Sequence, residues 1–418
     1  MSVSLLVCGL AFVFLFASSA RRLTARWLTA PILFVAFGAL LGDNGLGWIG
    51  LAGLEPVLDP LAEVTLIVIL FGDASRIRLE ALRREAGLPI RMLVFGLPLT
   101  ILLGAVAARL LFPQLSVWEA AALGAVLAPT DAALGQAVVS SEAVPLRVRQ
   151  ALNVESGLND GIALPVVLVF TALAVATAEG AASADTVSWL GFWVLQVVLG
   201  PLAGAALGAG GGWLLSRAVA ADWTDESFVR IGGLALALLA YFGAEEIGGN
   251  GFMAAFVAGM AFGNVAHDVS HHVHAFLEAE GQLLMLLVFV ALGALLVPPA
   301  LARLTPTVGL YVLLSLTVVR MLPTALALAG SGARAQTVAF LGWFGPRGLA
   351  TLLFGMVILE AHAIPNRAFL FDVAILTVLA SVFAHGLTAG WAARRYGTWA
   401  EGQGNAMELE TVYAHPMR

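Results

Sequence analysis

The chain has 418 residues, of which 60% are hydrophobic and 11% charged, and a formal net charge of −6. A mean hydropathy of +0.93 lies far outside the usage of soluble globular domains, so the bilayer is the implied solvent. No basic run offers a surface to nucleic acid, and the lone cysteine, Cys8, rules out a disulfide framework within the chain.

Apolar blocks of roughly 17 to 25 residues match the length a helix needs to cross about 30 Å of hydrocarbon. Stretches such as Leu66–Leu70 and Leu283–Val290 do not alternate in polarity, which argues against a transmembrane barrel. The expectation is an all-α membrane protein of about thirteen transmembrane helices. Taken in chain order, the spans fall at roughly 2-18, 27-42, 54-73, 91-112, 118-139, 150-177, 188-216, 227-246, 249-264, 277-297, 306-329, 336-360 and 368-392. The first block lacks a basic leader and its arginines follow it, so it reads as a retained anchor.

All 21 basic positions are arginines, and they alternate between loops. Arg21, Arg22 and Arg26 follow span 1; Arg76, Arg78, Arg83, Arg84 and Arg91 follow span 3; Arg147 and Arg149 follow span 5; Arg394 and Arg395 follow span 13. Positive charge marks cytoplasmic ends, which leaves the N-terminus outside and the C-terminus in the cytoplasm of a cell with an inner membrane. Arg109, Arg303 and Arg367 fall on the outer side. A transmembrane domain over 1-395 is expected to be followed by a short polar tail, 396-418, too small for a regulatory domain.

Span 5 carries Pro129-Thr130-Asp131 at mid-membrane. A proline there removes a helix hydrogen bond and leaves backbone groups to be satisfied otherwise, so the helix should unwind. Span 12 carries the matching Gly342-Trp-Phe-Gly345-Pro346-Arg347-Gly348. The arginine topology runs these spans in opposite directions, seven apart. That is the pattern of an inverted repeat with spans 1-6 and 8-13 as halves, and it predicts two discontinuous helices crossing at a midplane ion site.

Span 6 opens with Asn153-Val-Glu155-Ser156-Gly-Leu-Asn159-Asp160-Gly. Glu155, Ser156, Asn159 and Asp160 share one helix face, polar inside an apolar span. Isolated in lipid, Asp131, Glu155, Asp160, Arg320 and Arg347 would together cost on the order of 10 kcal/mol or more, so they must be paired, hydrated or functional. Carboxylate, hydroxyl and carbonyl oxygens form the hard-donor set that replaces a small cation's water. A carboxylate can instead take a proton, so one side chain can couple two ions by competition. Asp160 is the candidate for that shared group, with Thr130 and Ser156 as further oxygen ligands. Glu155 reads either as a structural partner of Arg347 or Arg320, or as a direct cation ligand. Asp131 reads either as a second acid at the site or as a cap for N–H groups freed by the break.

These motifs resemble the NhaP-type sodium/proton antiporters of the monovalent cation:proton antiporter superfamily, relatives of the eukaryotic sodium/proton exchangers. The span 6 segment looks like that family's Asn-Asp motif, Ala128-Pro129-Thr130-Asp131 like its Thr-Asp motif, and Gly345-Pro346-Arg347-Gly348 like its arginine in the second broken span. Phe71-Gly72-Asp73-Ala74-Ser75 is similar to its acidic segment closing span 3, and Val319-Arg320 to its arginine in span 11. The resemblance departs where proline precedes the Thr-Asp pair and alanine follows it.

What the resemblance implies is a homodimer with a mobile core of approximately 91-177 and 306-392. Interface and scaffold spans would fall in approximately 1-73 and 188-297, and access would alternate by an elevator-like movement. The family's ion ligands carry over to Asp160, Thr130, Ser156 and Glu155. Asn159 stands where electrogenic relatives have a second aspartate, implying electroneutral exchange of Na+, Li+ or K+ for H+ with no cofactor beyond the transported ions.

Weaker signals complete the reading. Asp73 is either an aid to cation admission or a partner of nearby arginines, and His271, His272 and His274 are expected in a solvated loop before span 10. His385 reads as a hydrogen-bonding residue of span 13, and Glu245 and Glu246 as hydrated groups where span 8 ends. Two other functions compete with this one. An intramembrane hydrolase using Asp131 and Asp160 would need a substrate element the sequence lacks. A Na+-coupled organic-anion symporter of similar architecture would differ in the solute it takes up.

Overall fold

The computed structural model describes residues 3–24, 29–48, 51–77, 87–131, 134–180, 186–403 and 408. Arg26, Arg78, Arg83 and Arg84 of the topology argument lie outside them, as does Ala132. The described residues are helical, without a β-strand.

In chain order the helices are α1 (Val3–Thr24), α2 (Ala30–Leu41), α3 (Leu51–Ser75), α4 (Gly87–Leu111), α5 (Val117–Val126), α6 (Gln136–Val139), α7 (Leu146–Ala178) and α8 (Thr186–Ala220). They continue with α9 (Glu226–Glu246), α10 (Gly251–Val265), α11 (His267–Ala302), α12 (Pro306–Leu316), α13 (Val318–Ala327), α14 (Ala335–Trp343), α15 (Leu349–Glu360) and α16 (Arg367–Glu401). Seven stretches are long and apolar enough to cross a membrane: α4, α7, the Val198–Ala220 part of α8, α9, α11, the α12–α13 pair and α16. Shorter apolar helices, including α2, α5, α10 and α15, accompany them. The protein is therefore a multi-pass membrane protein.

Local chemistry sets the ends that matter. α5 starts in a capping box, where Ser116 accepts from the Glu119 amide and Glu119 accepts from the Ser116 amide. Glu119 also accepts from the backbone and side chain of Asn366, which ties the start of α5 to the start of α16. α5 stops at Val126, three residues before Pro129, which has no N–H to offer the Ala125 carbonyl and excludes helical backbone at Ala128. α14 stops at Trp343 for the same reason, three residues before Pro346.

Helix ends differ from hydropathy where polar turns continue an apolar helix. α11 begins at His267 rather than near 277, so the three histidines stand on a helix and not in a loop. His274 packs against Gly72 O and Arg76, and pairs with Glu278 at 3.3 Å, while His272 lies 3.0 Å from Glu226. α16 runs on to Glu401, and Glu408 beyond it accepts hydrogen bonds from the Arg334 amide and the Thr337 hydroxyl. Hydropathy registers only the part of a helix that meets lipid, whereas backbone hydrogen bonding continues through polar turns.

Two sets of neighbours emerge from the packing. α5 and α7 lie against each other and against α4 and α15, with α13 along α4 and α16 beside α15, and α3, α8, α9, α10 and α11 form the other set. Within the second set the approach is close. A Cβ at Gly204 or Gly208 of α8 would overlap the carbonyls of Ala254 or Ala258 on α10, so small residues let these backbones touch.

Candidate functional site

The interruption after α5, described over 127–131 and 134–135, and that at 344–348 between α14 and α15 meet one another. The Asp131 amide donates to Pro346 O at 2.8 Å. Asp131 Oδ2 accepts from the Leu349 amide at 2.8 Å, at the start of α15, and Oδ1 accepts from the Leu134 amide at 3.2 Å. Gly348 makes this fit possible, since a Cβ there would fall inside the Asp131 carboxylate.

Arg347 answers from the other break. Its Nη1 donates to the carbonyls of Ala128 and Pro129, just past the C-terminal end of α5, and its own amide donates to Ser381 Oγ at 2.7 Å. Each break thus supplies the charge that suits the other's helix end: a carboxylate at the N-terminus of α15, a guanidinium at the C-terminus of α5. The Asp131 amide, the Pro346 carbonyl, the Arg347 amide and the Ala128 and Pro129 carbonyls of the breaks are each satisfied within the protein.

α7 lays its polar face against this junction. Thr130 Oγ1 sits 2.9 Å from Ser156 Oγ and accepts from Asn159 Nδ2 at 2.6 Å, joining the first break to α7. Asn159 Oδ1 and Asp160 Oδ1 are buried with no hydrogen-bond partner among the described residues. The charges of Asp131, Asp73 and Glu155 are within electrostatic reach of Asp160. Next to it, a Cβ on Gly161 would meet the ring of Phe256 on α10, so this turn of α7 lies against the second set of helices. A buried oxygen of this kind costs about 1–3 kcal/mol if nothing binds it.

Glu155, the remaining acid of the α7 face, is fully engaged. Arg320 Nη1 and Nη2 donate to its two oxygens at 2.6 and 2.8 Å, and the exposures of the two side chains are 2% and 1%. Arg320, not Arg347, is therefore its partner. Gly345 accommodates the pair, because a Cβ there would strike the Arg320 guanidinium. Asp73 lies at the end of α3, where the neighbouring Arg76 is directed to Glu278 at 2.8 Å.

Of three supporting residues, His385 is the hydrogen-bonding residue expected in span 13, while Ser381 and Glu119 were not expected from the sequence. Ser381 receives the Arg347 amide, and His385 beneath it meets Ser381 O at 2.9 Å and Trp343 O at 2.8 Å. A serine inside an apolar helix shows nothing of such a role until the facing element is known. Glu119 was detectable in principle from Ser116-x-x-Glu119, a capping-box spacing.

A family model described as sodium/hydrogen exchanger, transmembrane, matches residues 8–395. The chain belongs to the sodium/hydrogen exchanger family. Within it, this exchanger-family chain is 28% identical over 372 residues to the K+/H+ antiporter NhaP2 of Shewanella oneidensis, covering 88% of this chain and 63% of the relative. It is 27% identical over 405 residues to the K+/H+ antiporter NhaP of Alkalimonas amylolytica, covering 95% of this chain and 67% of that protein. The chain thus spans about 63% of the length of the Shewanella relatives it matches. The fold is that of the sodium proton antiporter MjNhaP1 from Methanocaldococcus jannaschii, with a TM-score of 0.69, 23% identity, and coverage of 93% of this chain and 97% of that one. The broken helices, their crossed charges and the α7 face described above all lie inside the family match.

Proposed function

We propose that this protein is a secondary transporter that exchanges a monovalent cation for H+ across the cytoplasmic membrane, with Asp160 as the group that holds either ion. The observation that carries the reading is the Asp160 carboxylate, with one oxygen buried and unpartnered, following Asn159 on the helix whose Ser156 and Asn159 bond Thr130 at the first break. A cation bound there is coordinated by Asp160, Thr130 and Ser156. A proton on Asp160 neutralises the same carboxylate, and only a neutralised site moves readily through a low-dielectric barrier.

In this reading Asp131 and Arg347 are not carriers. They neutralise helix ends and hold the breaks open for the ion. Glu155 and Arg320 form a structural pair, and Asp73 lies on the route by which the cation is admitted. About thirteen spans form an inverted repeat with the two interrupted helices crossing at the midplane. The core of approximately 91-177 and 306-392 moves against scaffold spans of a homodimer, elevator-fashion. The N-terminus is outside and the C-terminus in the cytoplasm. With Asn159 uncharged, one carboxylate serves one cation or one proton, so exchange is electroneutral. Na+ is the cation proposed. The potassium named for the bacterial relatives makes K+ the alternative, because a ligand set does not by itself set cavity size.

The test is a flux assay. In proteoliposomes with an imposed pH gradient, Na+, Li+ and K+ are added in turn, and the preferred cation should collapse the gradient. Asp160→Asn should abolish this, and unchanged exchange in that variant would remove Asp160 from the mechanism.

A further inference from the structure

The end of α11, the start of α12 and the middle of α16 enclose a crevice of about 330 Å3. Its walls are Leu301, Leu304, Val312, Leu376, Leu379 and Phe383, with Gly309 at one side. The volume is at the lower end of the range for small-molecule sites. A Cβ added at Gly309 would meet nothing within 4 Å, so α12 stops short of filling the space beside it. Leu301, Leu304 and Phe383 are 46%, 48% and 38% exposed, so the crevice opens outward to where acyl chains lie.

Its mouth is charged. Arg303, between the wall residues Leu301 and Leu304, pairs through Nη1 with Asp372, one helical turn before Leu376 on α16. The Arg303 side chain remains 57% exposed. A guanidinium has five N–H donors, and the contact with Asp372 occupies one nitrogen, so donors remain for a second anion. At the same end, Arg367 opens α16 with its Nη1 buried and unpartnered among the described residues. An apolar slot under arginines suits an amphiphile with an anionic head. A free ion or polar solute would find no polar lining in which to shed its water.

We propose that this crevice binds one acyl chain of an anionic phospholipid, with the lipid phosphate held by Arg303 at its mouth. The arginine is what separates such a site from the ordinary lipid annulus, since the chain-filling walls alone treat all lipids alike while phosphate recognition by arginine depends on headgroup charge. The lipid is not a transported species, and the site stands whether or not the exchange reaction proposed above is correct.

Native mass spectrometry of the delipidated full chain in detergent tests this, titrating phosphatidylglycerol against phosphatidylcholine. The expected result is a first phosphatidylglycerol bound at least tenfold more tightly than phosphatidylcholine. Gly309→Phe, which fills the slot, should weaken that adduct at least tenfold. The paired Arg303→Gln/Asp372→Asn change, which leaves no orphaned charge, should bring phosphatidylglycerol down to the phosphatidylcholine level. Melting temperature in lipid-free detergent serves as the folding control, and Ala380→Leu, at a further wall position on α16, replaces Gly309→Phe if the larger side chain fails it. Equal binding of the two lipids by the parent chain, or an undiminished adduct in the filled variant, would overturn the proposal.

Discussion

Replacing the buried ion pair between α7 and α13 separates a structural role for Glu155 from a ligand role. Arg320 meets both oxygens of Glu155, at 2.6 and 2.8 Å, with both side chains almost wholly enclosed. Glu155→Leu leaves a guanidinium buried without its partner, and Arg320→Met leaves a carboxylate in the same state. Each single change should destabilise the fold by about 3–5 kcal/mol, because the orphaned charge keeps its desolvation penalty and loses its compensation. Together the two changes remove both charges and restore an apolar contact, so the double variant should lie within about 1 kcal/mol of the parent. The assay is the unfolding free energy of all four chains in mixed micelles, read as a double-mutant cycle, with exchange measured in parallel. A coupling energy of several kcal/mol is expected, with exchange retained in the double variant. Losses that add to within about 0.5 kcal/mol would refute the argument, since they would mean that each charge finds its stabilisation elsewhere.

The other predictions concern the breaks, the ion stoichiometry and the tail. Asp131→Ala removes the acceptor for the Leu134 and Leu349 amides and should cost about 0.5–2 kcal/mol for each lost cap, read as faster hydrogen exchange at Leu349; unchanged protection there would count against the capping role. Asn159→Asp adds a carboxylate beside Asp160, so exchange should become voltage-dependent, by up to about 2.3 kcal/mol per 100 mV for one uncompensated charge. A flux insensitive to the clamped potential would refute this. Burial disfavours the Glu408 carboxylate, but hydrogen bonds from the Thr337 hydroxyl and the Arg334 amide outweigh it and hold the group below the usual range. A depressed folded value stabilises docking above the unfolded pKa near ~4.3, and that contribution fades as pH falls through the folded value. Protection of the Arg334 amide, corrected for the intrinsic exchange rate, should therefore fall on acidification through the folded Glu408 value in the parent chain and be lowered already at neutral pH in Glu408→Ala.

The amino-acid sequence by itself determined the solvent, the helical class and the location of the polar centre. Apolar blocks of membrane-crossing length, two proline breaks and four polar residues on one face of span 6 are one-dimensional patterns, and each has a local physical cause that needs no partner. It also held the local reason for each break, because a proline lacks its N–H in any context. What it left open was every question of which group meets which. Glu155 could have taken either arginine, and only the packing of α13 against α7 decides for Arg320. Asp131 could have been a second acid or a cap, and its bond from the Leu349 amide exists only because the second break arrives alongside the first, whereas the bond from Leu134 is local. The continuation of α11 and α16 past the apolar blocks was equally hidden, since hydropathy records contact with lipid and not backbone hydrogen bonding. Pairings between residues 165 and 218 positions apart are set by how helices pack, and helix packing is a property of surfaces brought together in three dimensions.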